Sequence, residues 1–573
     1  MRKLRACCRD FTIAATMCCI GPAALAADAV NGSGTEAVSA ADIAKIDALF
    51  AQYDKPSSPG CALGVMRNGR LAYARGYGMA DIERKVPITP ASLFDIASTS
   101  KQFSAAAVVL LALDGKLSLS DDVRKYVPEL PDYGAPITID HLLHHTSGLR
   151  DYIGLLSLAG IAYDQISTDE QTLAILARQR QLNFPTGTRH EYSNTGYFLL
   201  SVIVQRVSGQ PMAKFSRERI FEPLGMTSTR IRDDYAMLIP GRALGYAPAE
   251  DGTFKLAIVN WQQTGDGAVQ LSIEDALKWD ENFYQPKLGG AAFVERLQEP
   301  GKLTNGEPIG YARGLFIDTY RGLRRVQHGG SWIGYRSAFD RYPDQHTSIA
   351  LFCNGDGSIQ PRGISHQIAD IVLAGAFREP PAAAGAKKNA NVKPLPRERF
   401  LGKYFVAGND SVMQIVDAEG ALALKVSGAT LPLTPRGPAT FALAGSPGTV
   451  DFPGAQRAPA QTMRLQFDGM PAMVASRFVP AALSEKELQA YVGMFHSDEL
   501  DVTWPIVLHE GKLAIRNETT RLVTSLQPLA PAMADAFNGE TGFIRYTRDA
   551  AGRITGFDVS VFRMRGIRFE ARP

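Results

Sequence analysis

The sequence is poor in cysteine, in net charge and in long apolar runs, and each shortage excludes a class of protein. Of its 573 residues only six are cysteine, and four of these (Cys7, Cys8, Cys18, Cys19) fall within the first 19 positions. A small fold stapled by many disulfides is therefore excluded. Basic and acidic side chains number 61 and 58. The excess of three equals that of residues 1–26, where Arg2, Lys3, Arg5 and Arg9 face Asp10 alone, so the remaining chain is formally neutral. A neutral chain lacks the basic footprint that nucleic-acid binding requires. No stretch has the 18 or more consecutive apolar residues of a membrane span. There is no GxSxG nucleophile elbow, which argues against an α/β-hydrolase. His141, His144 and His145 in HLLHHTSGL stand at helical spacing, but without the glutamate of an HExxH site they do not make a metal centre.

What is present begins with a basic start, an apolar stretch from Phe11 to Ile20 and the small-residue end Ala24-Leu25-Ala26. This is the three-part pattern of a signal peptide over residues 1–26, and the expectation is a secreted or periplasmic protein. From 27 to 377 amphipathic helical patterns mix with short strand patterns. Residues 378–396, rich in Pro, Ala, Gly and Lys, read as a linker. Beyond them short alternating runs separated by Gly, Pro and Asp turns predict antiparallel sheet. This part is duplicated: Phe400-Leu401-Gly402-Lys403-Tyr404 matches Tyr491-Val492-Gly493-Met494-Phe495, 91 positions on, and GALALKV from Gly420 matches GKLAIRN from Gly511. Two barrel-like units follow, at 397–482 and 483–573.

Three segments carry chemistry. In Ser98-Thr99-Ser100-Lys101, ahead of the helical run KQFSAAAVVLLAL, a serine and a lysine share one helix face. A desolvated lysine amine can take the proton of a serine hydroxyl and make it a nucleophile. In Tyr192-Ser193-Asn194, a phenol and an amide sit where a loop enters a helix. In His328-Gly329-Gly330-Ser331, two glycines between strand-like runs allow close approach of the backbone.

In this order the segments resemble the SxxK, YxN and KTG or HxG motifs of the serine β-lactamase and penicillin-binding superfamily. The resemblance, over about residues 40 to 375, is to its class C-like branch, peptidase family S12, which includes D-aminopeptidases, DD-carboxypeptidases, esterases and class C β-lactamases. It implies an α/β (α+β) catalytic domain with a five-stranded antiparallel sheet flanked by helices, an all-helical subdomain, and two small antiparallel β-barrel domains behind it. It implies Ser98 as acyl-enzyme nucleophile, Lys101 as proton acceptor and Tyr192 as companion base. Asn194 would contact the substrate amide or orient Lys101, His328 would take the place of the third-motif lysine in binding substrate, Gly330 would leave room for substrate, and the N–H groups of Ser98 and Ser331 would form the oxyanion hole. Asp535, in a C-terminal loop, is a candidate for a substrate ammonium. The first and last strands of such a sheet are neighbours, which makes a Cys61–Cys353 disulfide a live expectation. No cofactor and no metal are implied. The expected activity is hydrolysis of D-amino-acid-containing peptides or amides, with a broad esterase or weak β-lactamase, or a catalytically silent penicillin- or cell-wall-binding protein, as alternatives.

Overall fold

The computed structural model describes residues 30–31, 37–357, 359–378, 395–426, 429–443, 448–467, 472–520, 523–561 and 563–573. The expected export segment 1–26 and residues 379–394 of the expected linker lie outside the described residues.

The run CALGVMR is buried along almost its whole length, because it becomes an inner strand covered on both sides. The strands are β1 (Val30–Asn31), β2 (Cys61–Arg67), β3 (Arg70–Tyr77), β4 (Phe316–Tyr320), β5 (Leu323–Trp332), β6 (Tyr335–Tyr342) and β7 (Thr347–Cys353). They form one antiparallel sheet in the order β1-β3-β2-β7-β6-β5-β4. Seven strands replace the expected five, since β1 adds to one edge and the turn at Arg321-Gly322 folds β4 back along β5 at the other. Alternate residues of a strand face opposite ways. Accordingly Cys61, Leu63 and Val65 pack with Ile46 and Phe50 of α1 (Ala40–Phe50) and Ile364 and Ile368 of α5 (Pro361–Val372). Ala62 and Met66 join the larger core on the other face.

That core is crossed by α2 (Lys101–Leu113), whose residues Lys101 to Leu111 are all buried. A helix apolar all round can only run through an interior. Beside it lie α3 (Tyr152–Leu158) and α4 (Asn194–Ser208), and a 3₁₀ turn, Ala97–Ser100, leads into α2. Ser98 thus belongs to this turn and not to the helix proper. Strand β5 runs against the turn, and Gly330 permits it: a Cβ there would lie 2.2 Å from the Ile96 carbonyl oxygen and 2.3 Å from Ser337 Oγ. Ser337 Oγ donates to Ile96 O at 2.7 Å, and Thr99 Oγ1 lies 2.9 Å from the same hydroxyl. A Cβ at Gly330 would meet protein, so the glycine seats the Ser98 turn on the sheet, while its backbone still borders the cavity described below.

Strands β2 and β7 pair with Cys61 opposite Cys353, and the two sulfurs are bonded. The C-terminal part forms two closed eight-stranded antiparallel barrels. The first closes Gly402–Val406 on Met473–Phe478, and the second closes Gly493–Ser497 on Met564–Arg572. Their opening strands keep the 91-residue offset of the repeat. The second barrel packs on the catalytic domain. Arg150 and Glu499, both fully buried, pair at 2.7 Å, and Arg150 also donates to the carbonyls of Arg565 and Gly566. Glu499 in turn accepts from the Arg180 and Arg568 N–H groups.

Two outcomes follow from the sheet. Non-reducing peptide mapping of the purified protein will show a Cys61–Cys353 cross-link, and its reduction will lower the unfolding free energy of the catalytic domain by about 2–5 kcal/mol, read by denaturant titration with and without reductant. Gly330→Ala will overpack the contact with Ile96, costing about 1–3 kcal/mol of stability in thermal unfolding.

Candidate active site

Of the residues around the 3₁₀ turn, Ala97, Thr99, Ser100 and Lys101 are buried, whereas Ser98 is partly open to a cavity of about 670 Å³. The residue before it, Ala97, has φ +49°, a left-handed conformation that costs a non-glycine residue about 1–3 kcal/mol. The Ala97 N–H donates to Asp95 Oδ1 at 2.8 Å, which holds the bend. The same cavity is lined by Tyr192, Asn194, His328, Gly330 and Ser331. The three motifs, 230 residues apart from first to last in the chain (98 to 328), therefore meet at one place.

Lys101 is fully buried, and its Nζ has three neighbours: Asn194 Oδ1 at 2.9 Å, the Asp266 carbonyl oxygen at 2.7 Å and Ser98 Oγ at 3.2 Å. The first two can only accept. A neutral amine has two N–H groups and one lone pair. It satisfies both acceptors and turns the lone pair toward the serine hydroxyl. Burial favours that neutral form and lowers the amine below the ordinary lysine range, partly opposed by the Asp266 and Asp151 carboxylates. Asp266 is displaced the other way: burial raises its carboxyl, against the pull of Lys101. Tyr152 Oη donates to that carboxylate at 3.1–3.2 Å.

Asn194 owes its orientation to Asp151, whose Oδ2 accepts from the Asn194 backbone N–H at 2.9 Å and from Nδ2 at 3.1 Å. With Nδ2 so engaged, Oδ1 faces Lys101. Asp151 also caps α3 by accepting from Ile153 N. Tyr192 lies with its ring 4.8 Å from Lys101 Nζ and 4.2 Å from the His145 ring. Its hydroxyl is buried and makes no hydrogen bond of good geometry. Burial raises its pKa far above the ordinary value, with Ser98 close enough to oppose that slightly. The phenol is therefore protonated at rest, a donor before it can be a base.

His328 is buried beside it. Nδ1 is 2.7 Å from the Gly329 carbonyl oxygen and so carries its hydrogen, and Nε2 accepts from Tyr311 Oη at 3.1 Å. Burial, reinforced by Lys101, lowers its pKa to about 3. It is a neutral imidazole in the Nδ1–H form.

Two candidates do not reach the site. Asp535 stands at the tip between the strands Val523–Met533 and Ala536–Gly539, and its carboxylate pairs with Arg548 at 2.7 Å and accepts from Tyr491 Oη at 2.8 Å. It is not among the cavity residues. His141 and His145 use Nδ1 to accept from the Thr138 and Ser193 N–H groups, which makes them backbone caps. The second barrel supplies a different residue to the cavity, Arg563. Asp151, Asp266, Tyr311 and Arg563 were not singled out by the sequence. Asp266 and Asp151 stand in turns without a motif of their own, and Arg563 is 465 positions from Ser98 (98 to 563).

Residues 46–373 match the family model described as Beta-lactamase. A penicillin-binding protein of Bacillus subtilis (strain 168) is 30% identical over 403 residues, 67% of this chain and 88% of the relative. A D-aminopeptidase of Brucella melitensis is 26% identical over 530 residues, 89% of this chain and 95% of the relative. The solved octameric penicillin-binding protein homologue from Pyrococcus abyssi superposes with a TM-score of 0.55 at 23% identity, covering 76% of this chain and all of that one, which shows the shared fold. Among the described residues no helix is long and apolar enough to cross a membrane. With the family model spanning more than half of its length, the chain belongs to the beta-lactamase family, as a serine hydrolase carrying two further barrels.

Proposed function

We propose that the protein is exported and cleaves amide or ester bonds of D-amino-acid-containing peptides or amides through an acyl-enzyme on Ser98. The observation that carries the chemistry is the Lys101 amine, buried without a carboxylate contact and 3.2 Å from Ser98 Oγ. The neutral amine takes the hydroxyl proton as the oxygen attacks the substrate carbonyl. Backbone N–H groups of Ser98 and Ser331 hold the developing oxyanion, a class of contact worth about 3–4 kcal/mol when removed elsewhere. The proton then passes by way of Tyr192 to the leaving group, and water hydrolyses the ester by the reverse relay. Support for the substrate class comes from the D-aminopeptidase relative, whose match runs through the barrels as well as the catalytic domain. The intact lysine and phenol beside Ser98 favour catalysis over silent binding.

The test is hydrolysis of D-Ala and L-Ala p-nitroanilides, a short-chain p-nitrophenyl ester and a chromogenic cephalosporin. Ser98→Ala will lower kcat by at least about a thousandfold, and mass spectrometry of the wild type will show an acyl adduct on the Ser98 peptide. Turnover surviving in Ser98→Ala overturns the mechanism, and turnover of the ester alone replaces the peptidase reading by an esterase. The pH profile carries its own sign. Lys101 works deprotonated, so kcat/KM falls as the pH drops through its pKa. Because burial lowers that pKa, the acid limb will lie well below pH 10. A rate still climbing toward pH 10 would show that burial does not lower the Lys101 amine in the working enzyme.

A further inference from the structure

Beside the active-site cavity lies a second one, of about 890 Å³, between α3 and the second barrel. The two cavities share Ile153, Asn194 and Arg563 in their walls, so they adjoin across those side chains. One side of the second cavity is α3 and the turn after it, with Gly154, Ser157 and Gly160, and the other is the barrel, with Thr503, Trp504 and Gln527. The distance between the sides is fixed. A Cβ on Gly154 would lie 2.2 Å from Met564 Cε, so helix and barrel touch there, and the buried Arg150–Glu499 pair fastens the barrel next to Asp151, which caps the helix. Arg563 is committed to Asp151 at 3.5 Å and to the Tyr192 ring at 4.7 Å, and forms a ridge between the cavities.

The wall of the second cavity suits an uncharged chain. Its charges balance, Asp151 and Glu540 against Arg516 and Arg563. An extended peptide carries an N–H and a C=O at every residue and turns successive side chains to opposite sides. It needs hydroxyl and amide partners interleaved with apolar surface. Ser157, Thr503, Gln527 and Thr541 supply the first, and Leu158, Val502 and Pro505 the second. The volume falls in the upper part of the range of about 300–1,000 Å³ typical of ligand pockets. That is more room than one amino acid fills.

The active-site cavity, for its part, does not require the substrate to end there. Of the two aspartates in its wall, Asp95 accepts from the Ala97 N–H at 2.8 Å and from Gln270 Nε2 at 3.1 Å, and Asp266 accepts from Tyr152 Oη. Asp535 is paired with Arg548 outside the cavity. Among the described residues of this wall, no carboxylate is left over to receive a substrate ammonium. We infer that the second cavity binds a stretch of the substrate peptide away from the scissile bond, so that the enzyme acts on chains of several residues in preference to single-residue amides. This rests on the acyl-enzyme reading above and leaves the chemistry at Ser98 unchanged. The stretch belongs to the acyl flank or to the leaving-group flank of the bond, and extending each flank in turn tells which.

The measurement compares two pairs of substrates. On the acyl flank, N-acetyl-D-Ala p-nitroanilide is set against N-acetyl-Gly-Gly-D-Ala p-nitroanilide. On the leaving-group flank, N-acetyl-D-Ala-Gly amide is set against N-acetyl-D-Ala-Gly-Gly-Gly amide, read by product release. In the wild type, extension on one flank will raise kcat/KM at least about tenfold, the worth of one or two hydrogen bonds. Ser157→Trp and, separately, Thr503→Trp fill the second cavity from its two sides, at positions exposed enough to carry the larger ring. Each will bring that gain to within about threefold of one, while kcat/KM on the shorter substrate stays within about twofold of the wild type. The gain is a ratio within each variant, so a loss of folded enzyme cancels. A gain lost in at least one of the two variants upholds the inference. Absence of a gain on either flank in the wild type, or a gain that survives both variants, overturns it, and turnover of the shorter substrates then leaves the acyl-enzyme reading standing. Failure of all four substrates overturns both.

Discussion

A lysine amine buried at the base of a cavity is the constraint around which the catalytic domain is arranged. Taking an ammonium out of water is costly unless it is paired or neutralised. Here the contacts of Lys101 are a carbonyl, an amide oxygen and a hydroxyl. Burial pushes the amine toward its neutral form, and several otherwise unrelated features go with that. Asn194 must present its oxygen and not its nitrogen, so Asp151 holds the amide. Asp151 must be fixed, so it caps α3 and sits on the loop whose neighbour Arg150 is buried against the barrel. Asp266 must give its carbonyl to the lysine while its carboxylate is turned to Tyr152. The helix that delivers the lysine is apolar on every side, which is what its burial requires.

The second barrel is a working part of this arrangement. Its Glu499 receives Arg150, and its last hairpin reaches Asn183 and Glu191. Removing one member of a buried ion pair leaves the other charge stranded, at a cost of about 3–5 kcal/mol. The docking is thereby specific in register as well as position. The first barrel meets the second through Phe405 on Phe543 and Asp410 with Ser560, and touches the catalytic domain through Arg189 and the Gly408 carbonyl. The two copies of one repeat thus serve different ends.

Ser98, Lys101, Tyr192 and His328 were legible in the sequence as one set because each lies in a short segment whose residue types and spacing belong together. The barrels were legible through their repeat. Three things were not. The extra sheet strands β1 and β4 are edge additions, which depend on pairing partners and not on a local pattern. The role of Gly330 depends on what occupies the space beside it, and only packing reveals that the Ile96 carbonyl is there. Arg563 was invisible for the same reason, since nothing near it in the chain marks a residue that lines the cavity. Asp535 misled in the opposite way: a loop acid with an exposed setting proved to be the partner of Arg548.

The bond between Cys61 and Cys353 has a topological meaning beyond stability. It joins strands near the two ends of the catalytic domain and closes a ring of chain, 292 positions in sequence separation, that contains Ser98, Lys101, Tyr192, Asn194 and His328. Both barrels hang outside that ring. A protease that cuts a surface loop between the two cysteines opens the ring without releasing a fragment, and the site stays on one covalent piece. A cut between the catalytic domain and the barrels has no such safeguard, and separates Arg563 from the cavity it enters.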